Sequence, residues 1–164
     1  MALHNLNSVE RYTPSWVGDL VHSVMGGIDL DPASCELANK AIRANHFFTV
    51  KVNGLRQNWF GNVFCNPPYG QGIRYWIEKM ELEYYNQRMQ QGCLFVDAIS
   101  DSSWFHSLWD YPLCFFHESI NEDKSSRGNV VAGFGVDTDR FTKVFGNHGQ
   151  IVLPTRSGIS VAVT

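Results

Sequence analysis

At 164 residues, with 44% apolar and 18% charged side chains, the chain is long enough to bury one core and too apolar to be disordered. Thirteen Lys and Arg against sixteen Asp and Glu leave a net charge of -3, which argues against a protein that grips nucleic acid mainly by neutralising phosphates. No apolar run approaches the roughly 18 residues of a membrane span and no cleavable basic leader opens the chain, so a soluble, cytoplasmic protein is expected.

Residues 1–11 are polar and aperiodic, a loose arm ahead of one domain over 12–154, with a weakly apolar tail over 155–164. Thr13 and Pro14 together signal a helix start, Thr13 as N-cap and Pro14 at the first helical position. Trp16, Val17, Leu20, Val21 and Val24 recur at helical spacing until Gly26 and Gly27 stop the run. Residues 28–31 read as a short buried strand ending in Asp29 and Asp31. Ser34 then caps a helix whose apolar face is Leu37, Ala38, Ala41 and Ile42. A second short strand is expected over 47–50 and a turn over 52–55. Residues 62–65 form a buried strand that opens into Asn66-Pro67-Pro68-Tyr69.

Beyond that turn, Ile73, Trp76, Ile77, Met80 and Tyr84 make one helical stripe, most simply core packing. A strand follows over 92–97, then a short helix begun by Ser102 or Ser103 and carrying Trp104, Phe105, Leu108 and Trp109. Residues 113–116 are another strand. The polar stretch 117–129 is a solvated loop or a recognition loop, and Lys124, Ser125, Ser126 and Arg127 are its candidate recognition groups. A strand over 130–136, a helix capped by Thr138 or Asp139 and a last strand over 150–153 close the domain as a hairpin. Strands alternating with helices predict an α/β three-layer sandwich with a mixed, mostly parallel sheet.

Asn66-Pro67-Pro68-Tyr69 carries the chemistry. Proline fixes its own φ, restricts the residue before it and has no N–H, so the turn is stiff and presents acceptors. The Asn66 side-chain oxygen and the Pro67 carbonyl can take both hydrogens of an exocyclic amine, and Tyr69 offers a flat face for a planar base. Cys35, Cys65, Cys93 and Cys114 show no C-x-x-C pairing and the six His no ligand spacing, so reduced buried thiols and no metal are expected. Cys65 abuts the motif and reads as strand filler.

The NPPY string resembles the catalytic motif of S-adenosylmethionine-dependent amino-methyltransferases. Its setting, a Thr-Pro near the start, then IDLDPAS, then a Gly-Leu and a Trp before VFCNPPYG, resembles the small phage-type (Dam-like) DNA N6-adenine methyltransferases from about residue 12 to about residue 154. The resemblance implies a Rossmann-like class I methyltransferase fold, S-adenosylmethionine as cofactor and DNA as partner. It makes Asn66, Pro67, Pro68 and Tyr69 the catalytic set for an adenine flipped from its helix. Thr13, Pro14, Asp29, Asp31, Ala33 and Asn53 become the cofactor set, Thr13-Pro14 toward the carboxylate and Asn53 beside the adenine ring. A strand end feeding a helix start is also where open α/β sheets bind ligands. The sequence departs from many methyltransferases in carrying Asp-Pro-Ala-Ser where they have Gly-x-Gly. A protein-glutamine N5-methyltransferase, which has a similar NPPY motif, and a shortened non-catalytic binding protein are the alternatives. The second aromatic of a base sandwich falls on Trp104 or Phe134.

Overall fold

The computed structural model describes residues 11–118, 120 and 128–155. Pro14, extended at ψ 150°, is the N-cap of helix α1 (Ser15–Met25), and its carbonyl accepts from the Val17 and Gly18 N–H groups. This moves the cap one residue from the expected Thr13, whose side chain is directed elsewhere. Gly26 closes the helix in the left-handed region, φ 78°, as its glycine signal predicts.

The segment up to the NPPY turn is spare. Strand β1 (Leu30–Asp31), helix α2 (Glu36–Ile42) and strand β2 (His46–Phe47) are all short. Helix α2 is capped by Cys35, whose Sγ accepts from the Ala38 N–H at 3.4 Å, so Ser34 stands one residue too early. Only Ile42 of its expected apolar face is buried, and Leu37 is 58% exposed. Val50, expected to end a strand, is 93% exposed in the turn that follows. A single 3-10 turn, Gly54–Arg56, then leads to β3 (Gly61–Cys65).

Helix α3 (Ile73–Tyr85) buries Ile73, Trp76, Ile77 and Met80 of the predicted stripe, with Tyr84 half-buried at its end. It also buries Glu83 completely, with Lys79 Nζ and Arg88 Nε each 2.5 Å from its carboxylate. Burial alone would raise that carboxyl, but the hydrogen bonds from Arg88 and Lys79 hold it below the usual range. Strand β4 (Met89–Asp97), a 3-10 helix (Ser103–Asp110), β5 (Leu113–Phe116), β6 (Asn129–Phe134), α4 (Thr138–Phe145) and β7 (Gly149–Val152) complete the order. Asp137, rather than Thr138 or Asp139, caps α4 by accepting from the Arg140 N–H at 2.7 Å.

The seven strands form one sheet in the order β2-β1-β3-β4-β6-β5-β7. The ladders from β2 to β4 are parallel and those from β4 to β7 antiparallel, so the antiparallel half is larger than expected. β6 pairs with β5, and β7 adds to the outer side of β5 and not to β6, so the last two strands do not pair directly with each other.

Period-two alternation divides the core. Val63, Cys65, Leu94 and Val96 face α3 and the 3-10 helices, while Phe64, Cys93, Phe95 and Val131 face α1 and α4. Each fully buried side chain of this size contributes about 1.5 to 3 kcal/mol. The result is the expected three-layer sandwich. From β1 the chain moves outward to β2 and then crosses back to β3 on the other side, so the carboxyl ends of β1 and β3 are the topological switch point.

Candidate active site

Asn66 leaves the carboxyl end of β3 beside the carboxyl end of β1, where Asp31 stands. Its side-chain Nδ2 donates to Thr13 Oγ1 at 2.9 Å and to the Arg11 carbonyl at 3.2 Å. Both amide hydrogens are thereby used, and among the described residues no donor engages Oδ1. Pro67 is buried, Pro68 exposed, and Tyr69 37% exposed. The Arg11 guanidinium lies over the Tyr69 ring, 5.3 Å from its centroid, and 3.8 Å from the Asp97 carboxylate. Burial and the nearby Asp97 push the Tyr69 phenol up to about 12, with Arg11 working against them, so the ring is neutral at physiological pH.

Asp31 is buried at 2% exposure and accepts from the Ala33 N–H at 3.1 Å. Burial pushes its carboxyl up to about 7, which the Ala33 N–H and the Ser34 side chain only partly offset. A buried acid held at this cost, at a switch point, fits a cationic or hydroxyl-bearing ligand that would relieve it. Asn53 is beside this acid's loop. It sits in the left-handed region, φ 58°, with Oδ1 accepting from the Leu55 N–H at 3.2 Å. The next residue must be glycine, because a Cβ at Gly54 would run into the Pro32 carbonyl oxygen.

Asp29 is held at the other end of the strand. Its Oδ2 accepts from the Asn62 N–H at 2.8 Å and its Oδ1 faces Asn45 Nδ2 at 3.4 Å, which ties down the start of β3. Gly61, φ 63°, allows that contact, since a Cβ there would overlap the Asp29 carboxylate. The two acids therefore separate, Asp31 to the switch point and Asp29 to the framework. Phe134 is fully buried away from the motif, paired with Gly92 in the amino-terminal half of β4 and packed on Tyr111 at 4.0 Å, so it presents no face to a base there. Trp104 is half-buried in the 3-10 helix that follows β4. Cys65 is fully buried, and burial with Asp31 nearby raises its thiol well above the ordinary range, so it stays protonated.

Arg11, Asp97 and Asn129 were not read from the sequence as site residues. Asp97 ends β4 level with the motif and accepts from Asn129 Nδ2 at 3.2 Å. An acid closing a buried strand, as at Asp31, was the available signal. Lys124, Ser125, Ser126 and Arg127 lie outside the described residues.

A mixed sheet with a parallel half, a ligand-fitting acid at its switch point and an acceptor-lined NPPY turn at the next strand define a class I methyltransferase with a Rossmann-like fold. The family model described as DNA N-6-adenine-methyltransferase (Dam) matches residues 8–122, well over half of the chain, and the chain belongs to that family. No curated protein matches it. Membership makes it an adenine-specific DNA methyltransferase that uses S-adenosylmethionine, which decides for DNA over protein glutamine as the methyl acceptor. Among the described residues no helix is long and apolar enough to cross a membrane.

Proposed function

We propose that the N6 amine of a flipped adenine is gripped by Asn66 Oδ1 and the Pro67 carbonyl, with the base stacked on Tyr69. The observation that carries this is the use of both Asn66 amide hydrogens by Thr13 and Arg11, which leaves Oδ1 as the free end of the side chain. Asp31, with Thr13-Pro14, Ala33 and Asn53 around it, is proposed to hold S-adenosylmethionine. Asp29 has no part in this arrangement. S-adenosylmethionine supplies an electrophilic methyl group on a sulfonium.

What the chain's own groups add is a competent nucleophile. Adenine's amino lone pair is delocalised into the ring, and two acceptors drawing on its hydrogens favour a more tetrahedral nitrogen with that pair aimed outward. This is orientation together with electrostatic stabilisation of charge arriving on nitrogen. The methylated nitrogen is acidic enough to lose its proton to solvent, so no strong base is needed. Flipping the base costs a few kcal/mol, of which stacking on Tyr69 offsets about 1 to 3 kcal/mol. Lys124, Ser125, Ser126 and Arg127 are proposed DNA contacts on the sequence alone.

The test is Asn66→Ala. Methyl transfer to unmodified DNA is expected to fall by about 1,000-fold or more, with circular dichroism and S-adenosylhomocysteine affinity retained. Transfer near the wild-type rate would overturn the proposal.

A further inference from the structure

We propose that Thr13 is a positioning residue for methyl transfer, holding the Asn66 amide so that its oxygen, and not its nitrogen, is presented to the substrate amine. The inference rests on the NPPY reading above. An Asn side chain has an acceptor end and a donor end of nearly the same shape, and only the acceptor end can draw on an amine's hydrogens. Nothing within Asn66-Pro67-Pro68-Tyr69 decides between the two, because the prolines have no N–H to pin the oxygen and their geometry is indifferent to the rotation. The decision comes from residues more than fifty positions away. Thr13 Oγ1 and the Arg11 carbonyl are both placed as acceptors for Nδ2, at 2.9 and 3.2 Å, and a rotated amide would set its oxygen against the Arg11 carbonyl oxygen.

Thr13 is suited to this by what it does not do. Pro14 takes the N-cap position of α1, so the Thr13 hydroxyl is not spent on the helix, and at 4% exposure it is shielded from competing water. Its hydroxyl accepts from Asn66 and still has a hydrogen to donate, so the same group can meet a second acceptor such as the cofactor's carboxylate. The two roles are separable by measurement. A cofactor contact alone would alter affinity, while a positioning role alters the rate when cofactor and DNA are saturating.

Thr13→Val preserves the shape and removes the oxygen; Thr13→Ser keeps the oxygen; Thr13→Ala is the second oxygen-free variant should Val disturb packing. All are compared with Asn66→Ala by single-turnover methylation at saturating S-adenosylmethionine and duplex DNA, per mole of protein that binds S-adenosylhomocysteine. The expected result is a loss of about 10- to 100-fold in rate for Val and Ala, with Ser within about threefold of wild type. Full rate for either oxygen-free variant, or equal loss for Ser, overturns the role of Thr13. If Asn66→Ala itself keeps its rate, the NPPY reading fails instead, so the two failures are distinguishable.

Discussion

Asp31 weakens the fold through its own burial at the topological switch point. Its ordinary pKa of 3.8 rises to about 7 on folding, so between those values the folded protein holds one proton more than the unfolded chain. Stability therefore falls as pH rises from about 4 to 7, and the penalty is complete above 7. Replacing the acid by Asn is expected to raise the melting temperature of the ligand-free protein at pH 8 and leave it little changed at pH 4, as calorimetry would read. Cofactor affinity should move the opposite way. In the native protein it should strengthen as pH rises toward about 7 and then level, because a cationic amine is held by the charged form. Asp31→Asn should bind more weakly and without that pH dependence. Equal affinity at pH 8 would remove Asp31 from the cofactor site.

At the scale of elements, what stands out is how little separates β1 from the NPPY turn. One short helix, the two-residue strand β2, one 3-10 turn and β3 fill the interval that a pair of full crossover units would occupy in a larger domain. Such economy depends on backbones packed directly against one another. Gly54 meets the Pro32 carbonyl with no room for a Cβ, and so joins the loop after β1 to the turn before β3. Gly54→Ala is expected to force these segments apart, costing about 1 to 3 kcal/mol by denaturant titration and weakening S-adenosylhomocysteine binding. A variant with native stability and affinity would show that the loops beside Asp31 are not held by this contact. The sequence marked most long elements correctly, including α1 and α3, because their apolar period was strong. It misjudged the short ones at 34–50, where Leu37 and Val50 lie exposed: with few residues per element, apolar character no longer reports which side faces the core.

For the whole molecule, thirteen basic residues against sixteen acidic ones leave little field to draw in DNA. Binding is then expected to depend gently on salt, with log affinity falling against log salt with a slope of about -2 to -3 between 50 and 200 mM, measured by anisotropy on a duplex. A slope steeper than about -6 would mean an extensive phosphate footprint. The enzyme class was legible through the resemblance of the NPPY string and its setting to amino-methyltransferases, while the two prolines between an Asn and a Tyr by themselves dictate only a stiff acceptor-bearing turn. The layered fold was legible too, because alternating strand and helix periods specify which faces must be covered. Tertiary structure decided which of two neighbouring acids stands at the switch point, that Phe134 is buried beside the amino-terminal half of β4, and that Thr13 faces the Asn66 amide instead of capping a helix. Those outcomes depend on register between strands and on contacts made across more than fifty residues, and neither is encoded in the local spacing of side chains.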